Sequence, residues 1–429
     1  MAQPASGTPQ AVQLPAPVDE GWNVGVNTAH GAVQAIAINL YNPFIGINLL
    51  RMGGDNFEVG LISSLPPLAA LISNLAGARW LARRADARRT TAFVFALARM
   101  LALGLALVDL LVPARHPAWW WPALFVAVFG LLNLPASLGT LGWQALLPGL
   151  ISARRRGPAL AQRLALAGLV GVTVSLLAGW LSRGQPGMSG YVAIFVLAAA
   201  FGVLEGATFL RFRGAPAVQT LPPNLLAGAR RLWADRTYRV FLLSCLPFYL
   251  GWLLAWPLFL KYNVSYNHAD NLWIGAYTAV NALSGTAGNL LWARVARRIG
   301  VAPALALAAF LLAGTPACYL FAPSLWGVMV PQVVGGLGSG FNLLLLLRMM
   351  EVAPEADRVV AMAVNNALLG AVGVFGPLVG ISLLGPLGLP GVFWVPTLLR
   401  CVGGAILFVA AGAMGSSLRR RRRTQAAGA

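Results

Sequence analysis

Long apolar stretches, separated by short polar segments, repeat along the chain from Val24 to Met414. Each has about the 20 residues that a helix needs to cross the hydrocarbon layer of a bilayer. The pattern therefore predicts twelve membrane-spanning helices. The predicted spans are Val24 to Leu49, Phe57 to Ala78, Thr91 to Val112, Trp119 to Leu146, Leu160 to Leu181, Tyr191 to Leu210, Val240 to Leu260, Leu272 to Ala293, Val301 to Phe321, Leu325 to Leu347, Val359 to Leu383 and Val392 to Met414.

The composition supports this interpretation. Hydrophobic residues make up 58% of the 429 residues, charged residues only 10%, and mean hydropathy is +0.72, whereas about a quarter of an ordinary globular domain is charged. The net charge of +19 comes from arginines clustered between apolar stretches rather than along one face, so no nucleic-acid partner is predicted. Cys245, Cys318 and Cys401 lack the spacing of a disulfide framework or zinc site. We predict a lipid-embedded chain with no cofactor and no metal.

Arginine is concentrated in alternate loops, as expected for loops retained in the cytoplasm. The basic loops hold Arg83, Arg84, Arg88, Arg89, Arg154 to Arg156, Arg211, Arg213, Arg230, Arg231, Arg236, Arg239, Arg294, Arg297, Arg298, Arg358 and Arg419 to Arg423. The other loops hold only Arg51, Arg115, Arg183 and Lys261. We expect an integral protein of the cytoplasmic (inner) membrane with both termini cytoplasmic.

The longest polar interruption divides the spans six and six. The predicted regions are a disordered cytoplasmic tail (1–22), a first six-helix bundle (23–210), a cytoplasmic linker (211–239), a second bundle (240–414) and a basic cytoplasmic tail (415–429). Asp-Asn opens span two at Asp55 and span eight at Asp270, and Ala-Arg-Arg follows each span. Such a repeat indicates duplicated halves, which place a substrate site between them.

The loop after span four reads Trp143-Gln144-Ala145-Leu146-Leu147-Pro148, followed by Arg154 to Gly157 and Gln162-Arg163. With the six-plus-six layout, it resembles the major facilitator superfamily (MFS) of bacterial type. The resemblance implies an all-α polytopic fold of two pseudo-symmetric six-helix bundles and transport by alternating access. It also implies gating loops at Gly77, Asp86 and Arg88 and at Gly288, Arg294 and Arg298. The acidic residue expected soon after Gly77 is missing, and Asp86 lies further on.

The resemblance implies that spans one, four, seven and ten line a central cavity. Their candidate lining residues are Asn27, His30 and Gln34, then Asn133, Ser137, Thr140 and Gln144, then Tyr249, Trp252 and Trp256, and finally Gln332, Ser339, Asn342 and Arg348. Helical spacing puts each set on one face. Amide, hydroxyl and aromatic walls suit a neutral or amphipathic organic molecule. The alternative is that these groups hydrogen-bond neighbouring helices.

Charged and titratable residues within spans are candidates for special roles. His30 is a candidate proton carrier, or a structural hydrogen-bonding group. Arg99 and Glu205 are predicted to form a structural ion pair. Arg348 and Arg400 lack an obvious acidic partner, Glu351 being the nearest to Arg348. Either could bind an anionic substrate group, Arg348 being preferred because span ten lines the cavity.

Asp55 and Glu58 resemble the acidic pair of sugar-cation symporters, but their spacing at a helix start favours a capping box.

No nucleophile, base and orienter set or phosphate-binding loop is present in the sequence, so no enzyme is predicted. The first hypothesis is a secondary transporter for a small organic solute, with proton-coupled efflux of an amphipathic compound as its finer form. The alternative is a membrane-embedded sensor or enzyme without transport. The expected partners are a small-molecule substrate, the bilayer and a coupling proton, and the expected state is a monomer.

Overall fold

The computed structural model describes residues 19–77, 80–81, 83–112, 118–183, 189–214, 225–354, 357–389 and 391–427. The predicted tail up to residue 18 and residues 215–224 of the predicted linker lie outside the described residues. The helices are α1 (Glu20–Tyr41, continued by Ile45–Arg51), α2 (Asn56–Ile72), α3 (Ala87–Met100 and Ala102–Leu111), α4 (Trp120–Leu150), α5 (Ala153–Arg183), α6 (Ser189–Leu210), α7 (Arg236–Leu254 and Trp256–Lys261), α8 (Asn271–Ile299), α9 (Val301–Tyr319), α10 (Met329–Gly338 and Phe341–Val352), α11 (Arg358–Ser382) and α12 (Trp394–Ala427).

Within those ranges, eleven of these helices are long and apolar enough to cross a membrane. The other is α8, which has 29 residues and ends in Arg297 and Arg298. It packs against α5 of the first half and α10 of the second. The prediction of twelve helices in two six-helix bundles is confirmed.

The starts of α2 and α8 show why the Asp-Asn repeat recurs. Asp55 Oδ1 accepts from the Glu58 N–H at 2.8 Å, and Glu58 Oε2 accepts from the Asp55 N–H at 2.9 Å. This reciprocal pair satisfies two N–H groups that the first turn of a helix leaves free. Asp270 likewise accepts from the Trp273 N–H at 3.0 Å. The capping interpretation is therefore confirmed.

A short linker helix (Leu225–Ala234) packs on the second half. Arg231 Nη2 donates to Asp357 Oδ1 at 2.6 Å, which ties this helix to the segment before α11. The same guanidinium lowers the pKa of the Asp357 carboxyl. The linker helix thus belongs with the second bundle, whereas Arg213 at the start of the linker pairs with Asp19 of the first half.

The buried apolar side chains fall into three clusters, and their distribution shows where the halves meet. We call the end carrying the arginine-rich loops the basic end, and the other the opposite end. One cluster at the opposite end combines residues of both halves, among them Phe44 and Phe125 with Tyr262 and Phe393. The two clusters nearer the basic end each belong to one half. Among the buried apolar clusters of the described residues, the one that both halves share therefore lies at the opposite end.

Polar contacts at the opposite end reinforce the junction of α5 with α8. Arg183 Nε donates to Asp270 Oδ2 at 2.9 Å, and Asn271 Nδ2 donates to the Ser182 carbonyl at 3.3 Å. The backbones approach closely because Gly275 faces α5: a Cβ there would lie 2.5 Å from the Ser175 carbonyl oxygen. Small residues allow such packing between membrane helices.

We expect Gly275→Val to separate α5 from α8 and open the opposite end, because the added side chain has no room. The readout is labelling of a Ser182→Cys reporter by a membrane-impermeant thiol reagent, in a background lacking the three native cysteines. Labelling should rise several-fold. The matched control is Gly168→Val on α5, where an added Cβ meets no atom within 4 Å. Equal labelling of both variants would contradict a closed opposite end.

Candidate functional site

The second half encloses a cavity of about 490 Å³ at its junction with the first. Small-molecule sites usually measure about 300–1,000 Å³. Its aromatic walls come from α7, α8 and α9, and include Trp252, Trp256, Phe259, Tyr277 and Tyr319. Pro43, directly after the first segment of α1, is the lining residue that the first half contributes among the described residues. The cavity therefore lies mainly inside the second bundle.

Some of the predicted lining residues meet at this cavity. Those that line it are Trp252, Trp256, Gln332, Ser339 and Asn342. Tyr249 lies elsewhere, fully buried, and its hydroxyl donates to Asn365 Oδ1 at 2.8 Å. Arg348 also lies off the cavity lining and donates to Glu351 Oε2 at 3.0 Å, one turn along its own helix. Arg348, the arginine preferred for binding an anionic substrate group, is therefore already paired with an acidic residue.

Arg400 of α12 is the guanidinium that lines the cavity, and its side chain is only 1% exposed. Its Nη1 donates to the Leu312 carbonyl at 2.6 Å. In a regular helix that carbonyl would accept from residue 316, which is Pro316 and has no N–H. Arg400 therefore satisfies an acceptor that proline leaves free inside α9.

A second break, in α7, supplies another carbonyl. Pro257 has no N–H group to donate to the Leu253 carbonyl. The Ala255 N–H donates to that carbonyl, and not to the Gly251 carbonyl four residues back. This leaves the Gly251 carbonyl free, and Arg400 Nε donates to it at 3.0 Å. Arg400 thus joins α12 to the interrupted turns of α7 and α9.

The polar stripe of α1 converges on an arginine of α5. Arg163 is 4% exposed, and its Nη1 donates to the Asn27 carbonyl at 2.9 Å and to His30 Nδ1 at 2.8 Å. Its Nη2 donates to Gln34 Oε1 at 2.6 Å. Its Cζ lies 4.2 Å from the centre of the Trp143 ring. In the sequence, Gln162-Arg163 forms part of the motif that follows span four. Arg163 nevertheless lies inside the predicted span five, and an arginine inside an apolar span was the signal that could have identified it.

A carboxylate lies next to this group. Arg99 Nε donates to Glu205 Oε2 at 3.0 Å, and Arg99 Nη1 donates to the Tyr41 hydroxyl at 2.9 Å. The predicted ion pair is therefore present. The other oxygen, Glu205 Oε1, lies 4.0 Å from His30 Nε2, and both side chains are 0% exposed. We call Arg99, Arg163, His30 and Glu205 the buried charge cluster.

The hydrogen bonds of the buried charge cluster determine the tautomer of His30. Arginine can only donate, so His30 Nδ1 accepts from Arg163 and the ring proton sits on Nε2, facing Glu205. The ring is consequently neutral, and the carboxylate of Glu205 pairs directly with Arg99. His30 could bind a second proton only at Nδ1, after Arg163 has withdrawn.

The predicted span-four residues are half-buried or exposed and lie outside the cavity. Asn133 and Ser137 of α4 are half-buried, whereas Thr140 and Gln144 are exposed. Asn133 Nδ2 and Thr140 Oγ1 donate to carbonyls one turn back in their own helix, at 2.7 and 3.0 Å. None of the four borders the cavity, and their lining of a wider space between the halves stays a prediction.

The predicted gating residues of the first half hold local structure at the basic end. Asp86 caps α3 by accepting from the Arg89 N–H at 2.9 Å, and Arg88 donates to the Phe212 carbonyl just after α6. Gly77 is buried, and a Cβ there would collide with the side chain of Leu138 on α4. In the second half, Gly288 packs on α10, while Arg294 and Arg298 are exposed.

A further buried carboxylate is absent from the sequence predictions. Asp109, on the second segment of α3, is 3% exposed, and both of its oxygens accept from Asn48 Nδ2, at 3.0 and 2.9 Å. A carboxylate inside an apolar span is a signal by itself. No group of three or more His, Cys, Asp or Glu side chains that could hold a metal ion occurs in the described part of the chain.

We expect Glu205→Gln to lower the free energy of unfolding by about 3–5 kcal/mol, because it leaves buried guanidinium groups without their carboxylate. Denaturant titration in lipid bicelles measures this, and an Arg99→Leu, Glu205→Leu double variant should recover part of the loss. The control is Asp86→Asn at the exposed Arg89 pair, which keeps the helix cap and should change stability by less than about 1 kcal/mol. Equal losses in Glu205→Gln and the control would contradict the cluster's structural role.

Comparisons with known proteins agree with this architecture. Residues 240–427 match the sequence model of the Major Facilitator Superfamily, and no protein of curated function matches the chain. A mutant of the nucleoside transporter NupG superposes with a TM-score of 0.65 at 14% identity, covering 91% of this chain and 100% of that one. A bacterial homologue of the iron transporter ferroportin in its inward-facing state gives 0.68 at 15% identity, covering 91% and 98%. The outward-facing form of this homologue superposes with a TM-score of 0.58 at 16% identity, covering 91% of this chain and 97% of that one. The match to the family's sequence model thus covers the second half of the chain, and the solved transporters share its fold over nine-tenths of its length.

Proposed function

We propose that the protein is a secondary active transporter that moves a small organic solute by alternating access. The observation that supports it is the placement of the cavity, which lies in the second bundle where that bundle meets the first, while the buried apolar cluster shared by both halves lies at the opposite end. Rocking the halves about that junction would expose the cavity to each side in turn. The solute's own gradient or an ion gradient would supply the driving force.

The structure corresponds, in this proposal, to the state open towards the cytoplasm. The positive-inside rule assigns the basic end to the cytoplasm, and the apolar cores of the halves are separate there. The ferroportin homologue supports the assignment, because its inward-facing form superposes better than its outward-facing form.

The proposed solute is an organic molecule with a planar ring. Trp252, Trp256 and Phe259 offer ring faces, and aromatic rings stack on such faces. Gln332 and Asn342 offer amide groups for orientation. A nucleoside, the solute named for NupG, has this combination of planar ring and polar groups. The positive charge of Arg400 disfavours a free metal cation in the same cavity.

Proton coupling is proposed to act through His30, and efflux is the proposed direction. The Arg163 hydrogen bond at 2.8 Å holds the His30 ring neutral. If α5 shifts relative to α1 during the transport cycle, Arg163 releases Nδ1, and a proton can bind there beside Glu205. Protonation and conformation would then depend on each other.

The transport test uses proteoliposomes and a panel of labelled aromatic compounds, with and without a pH gradient. At least one compound should move, and Trp252→Ala and Gln332→Ala should each reduce its rate at least about tenfold, the effect of about 1.4 kcal/mol. The matched control is Trp119→Ala, at a tryptophan that is 85% exposed, which should leave the rate unchanged. Failure to move any compound of a broad panel would favour a sensor or enzyme without transport.

We expect His30→Gln to abolish the response of transport to a pH gradient while solute exchange without a gradient continues. Glutamine can still accept from Arg163 but cannot bind the coupling proton. His268→Asn is the matched control, because His268 is exposed in a loop and has a positive φ of 55° that asparagine tolerates. A gradient response that persists in His30→Gln would remove the histidine from coupling.

A further inference from the structure

We propose that the cavity of the second half binds an organic anion, an aromatic carboxylate whose carboxylate pairs with Arg400 while its ring lies against the aromatic wall. This inference rests on the proposed function, since it names the class of solute for the same cavity.

Arg400 has no acidic partner in the described part of the chain. The other deeply buried arginines differ. Arg99 contacts Glu205, Arg348 contacts Glu351, and Arg163 shares the charge cluster with Glu205. A buried charge is costly unless it is both hydrogen-bonded and paired. Arg400 is hydrogen-bonded but unpaired in this state.

Two of the N–H donors of Arg400 have no acceptor among the described residues. A guanidinium has five N–H groups, and Arg400 uses three, on the carbonyls of Gly251, Leu312 and Trp252. Among the described residues, no acceptor engages the other two, one on each terminal nitrogen. Two terminal N–H groups form the fork that binds a carboxylate through both of its oxygens. The three carbonyls fix the guanidinium in place before a ligand arrives.

An unused hydroxyl provides an independent observation. Thr315 lines the cavity, is 7% exposed, and its Oγ1 has no hydrogen-bond partner. It lies three residues after Leu312, whose carbonyl holds Arg400, and residues at that spacing are neighbours on a helix surface. A buried hydroxyl without a partner is costly, so the Thr315 hydroxyl is available to donate to a carboxylate in this part of the cavity.

The aromatic wall sets the size of the anion. The Arg400 Cζ lies 5.9 Å from the centre of the Phe259 ring, which itself stacks on Tyr319 at 4.8 Å between centres. A carboxylate attached directly to a ring would therefore reach the guanidinium while the ring remains among Phe259, Trp252 and Trp256. A dicarboxylate or phosphate would bring more negative charge than one guanidinium neutralises.

The competing explanation is that Arg400 only joins α7, α9 and α12. The test is isothermal titration of the purified full chain with two probes of equal shape, 2-naphthoate and 2-naphthamide. The native protein should bind the carboxylate at least tenfold more tightly than the amide. Arg400→Gln should abolish that preference, Arg400→Lys should keep part of it, and Thr315→Val should weaken naphthoate binding several-fold.

Arg348→Gln is the matched control, because this arginine is equally buried but lies off the cavity lining, and it should keep the preference. If Arg400→Gln fails to fold, the proposal is still tested by Thr315→Val and by comparing the two probes on the native chain. Equal affinity for the two probes, no binding of naphthoate, or a preference that survives Arg400→Gln would each overturn the proposal. Because binding is measured without a membrane gradient, a chain that binds naphthoate but moves no solute would contradict only the transport function.

Discussion

Charge buried at membrane depth is the constraint on which the structure depends. A guanidinium inside a helical bundle must find acceptors, and three of the four buried arginines of the described residues find them on other helices. Arg163 joins α5 to α1, Arg99 joins α3 to α6 and α1, and Arg400 joins α12 to α7 and α9. These contacts lie within one half or the other. Each bundle is consequently held together by its own buried cations, and can move as a unit.

The contact between the two bundles is of a different kind. At the opposite end it combines apolar packing, close approach at glycine, and the exposed Arg183–Asp270 pair, whose side chains are 55% and 31% exposed. Exposed pairs contribute little, about 0–1 kcal/mol. A junction of this kind can open without leaving a buried charge unpaired, whereas opening a bundle would do so. The difference explains physically why the halves, and not their parts, would be the moving bodies.

The sequence predicted much of this fold because hydrophobic length, loop charge and cap spacing are local properties. The twelve helices and the Asp55–Glu58 cap follow from those properties, and the Arg99–Glu205 pair followed from estimated depth and the resemblance. The candidate site was harder to predict, because which face of a helix meets which neighbour is set by packing. Arg348 has an acid one turn away, and Arg400 meets carbonyls released by prolines in two other helices, a contact that no local pattern reveals. Arg163 was grouped with a loop, although its position inside an apolar span indicated a buried role.

The proposed alternating access requires the two halves to rock about the opposite end, so that one cavity is exposed to each side in turn. Pulsed electron resonance distances test it directly, with one spin-label pair at exposed positions of the basic end (Arg84 and Arg298) and one at the opposite end (Phe57 and His268). When a bound aromatic solute shifts the population, we expect opposite changes, the first distance shortening as the second lengthens. Distances that stay fixed, or that change in the same direction, would contradict alternating access.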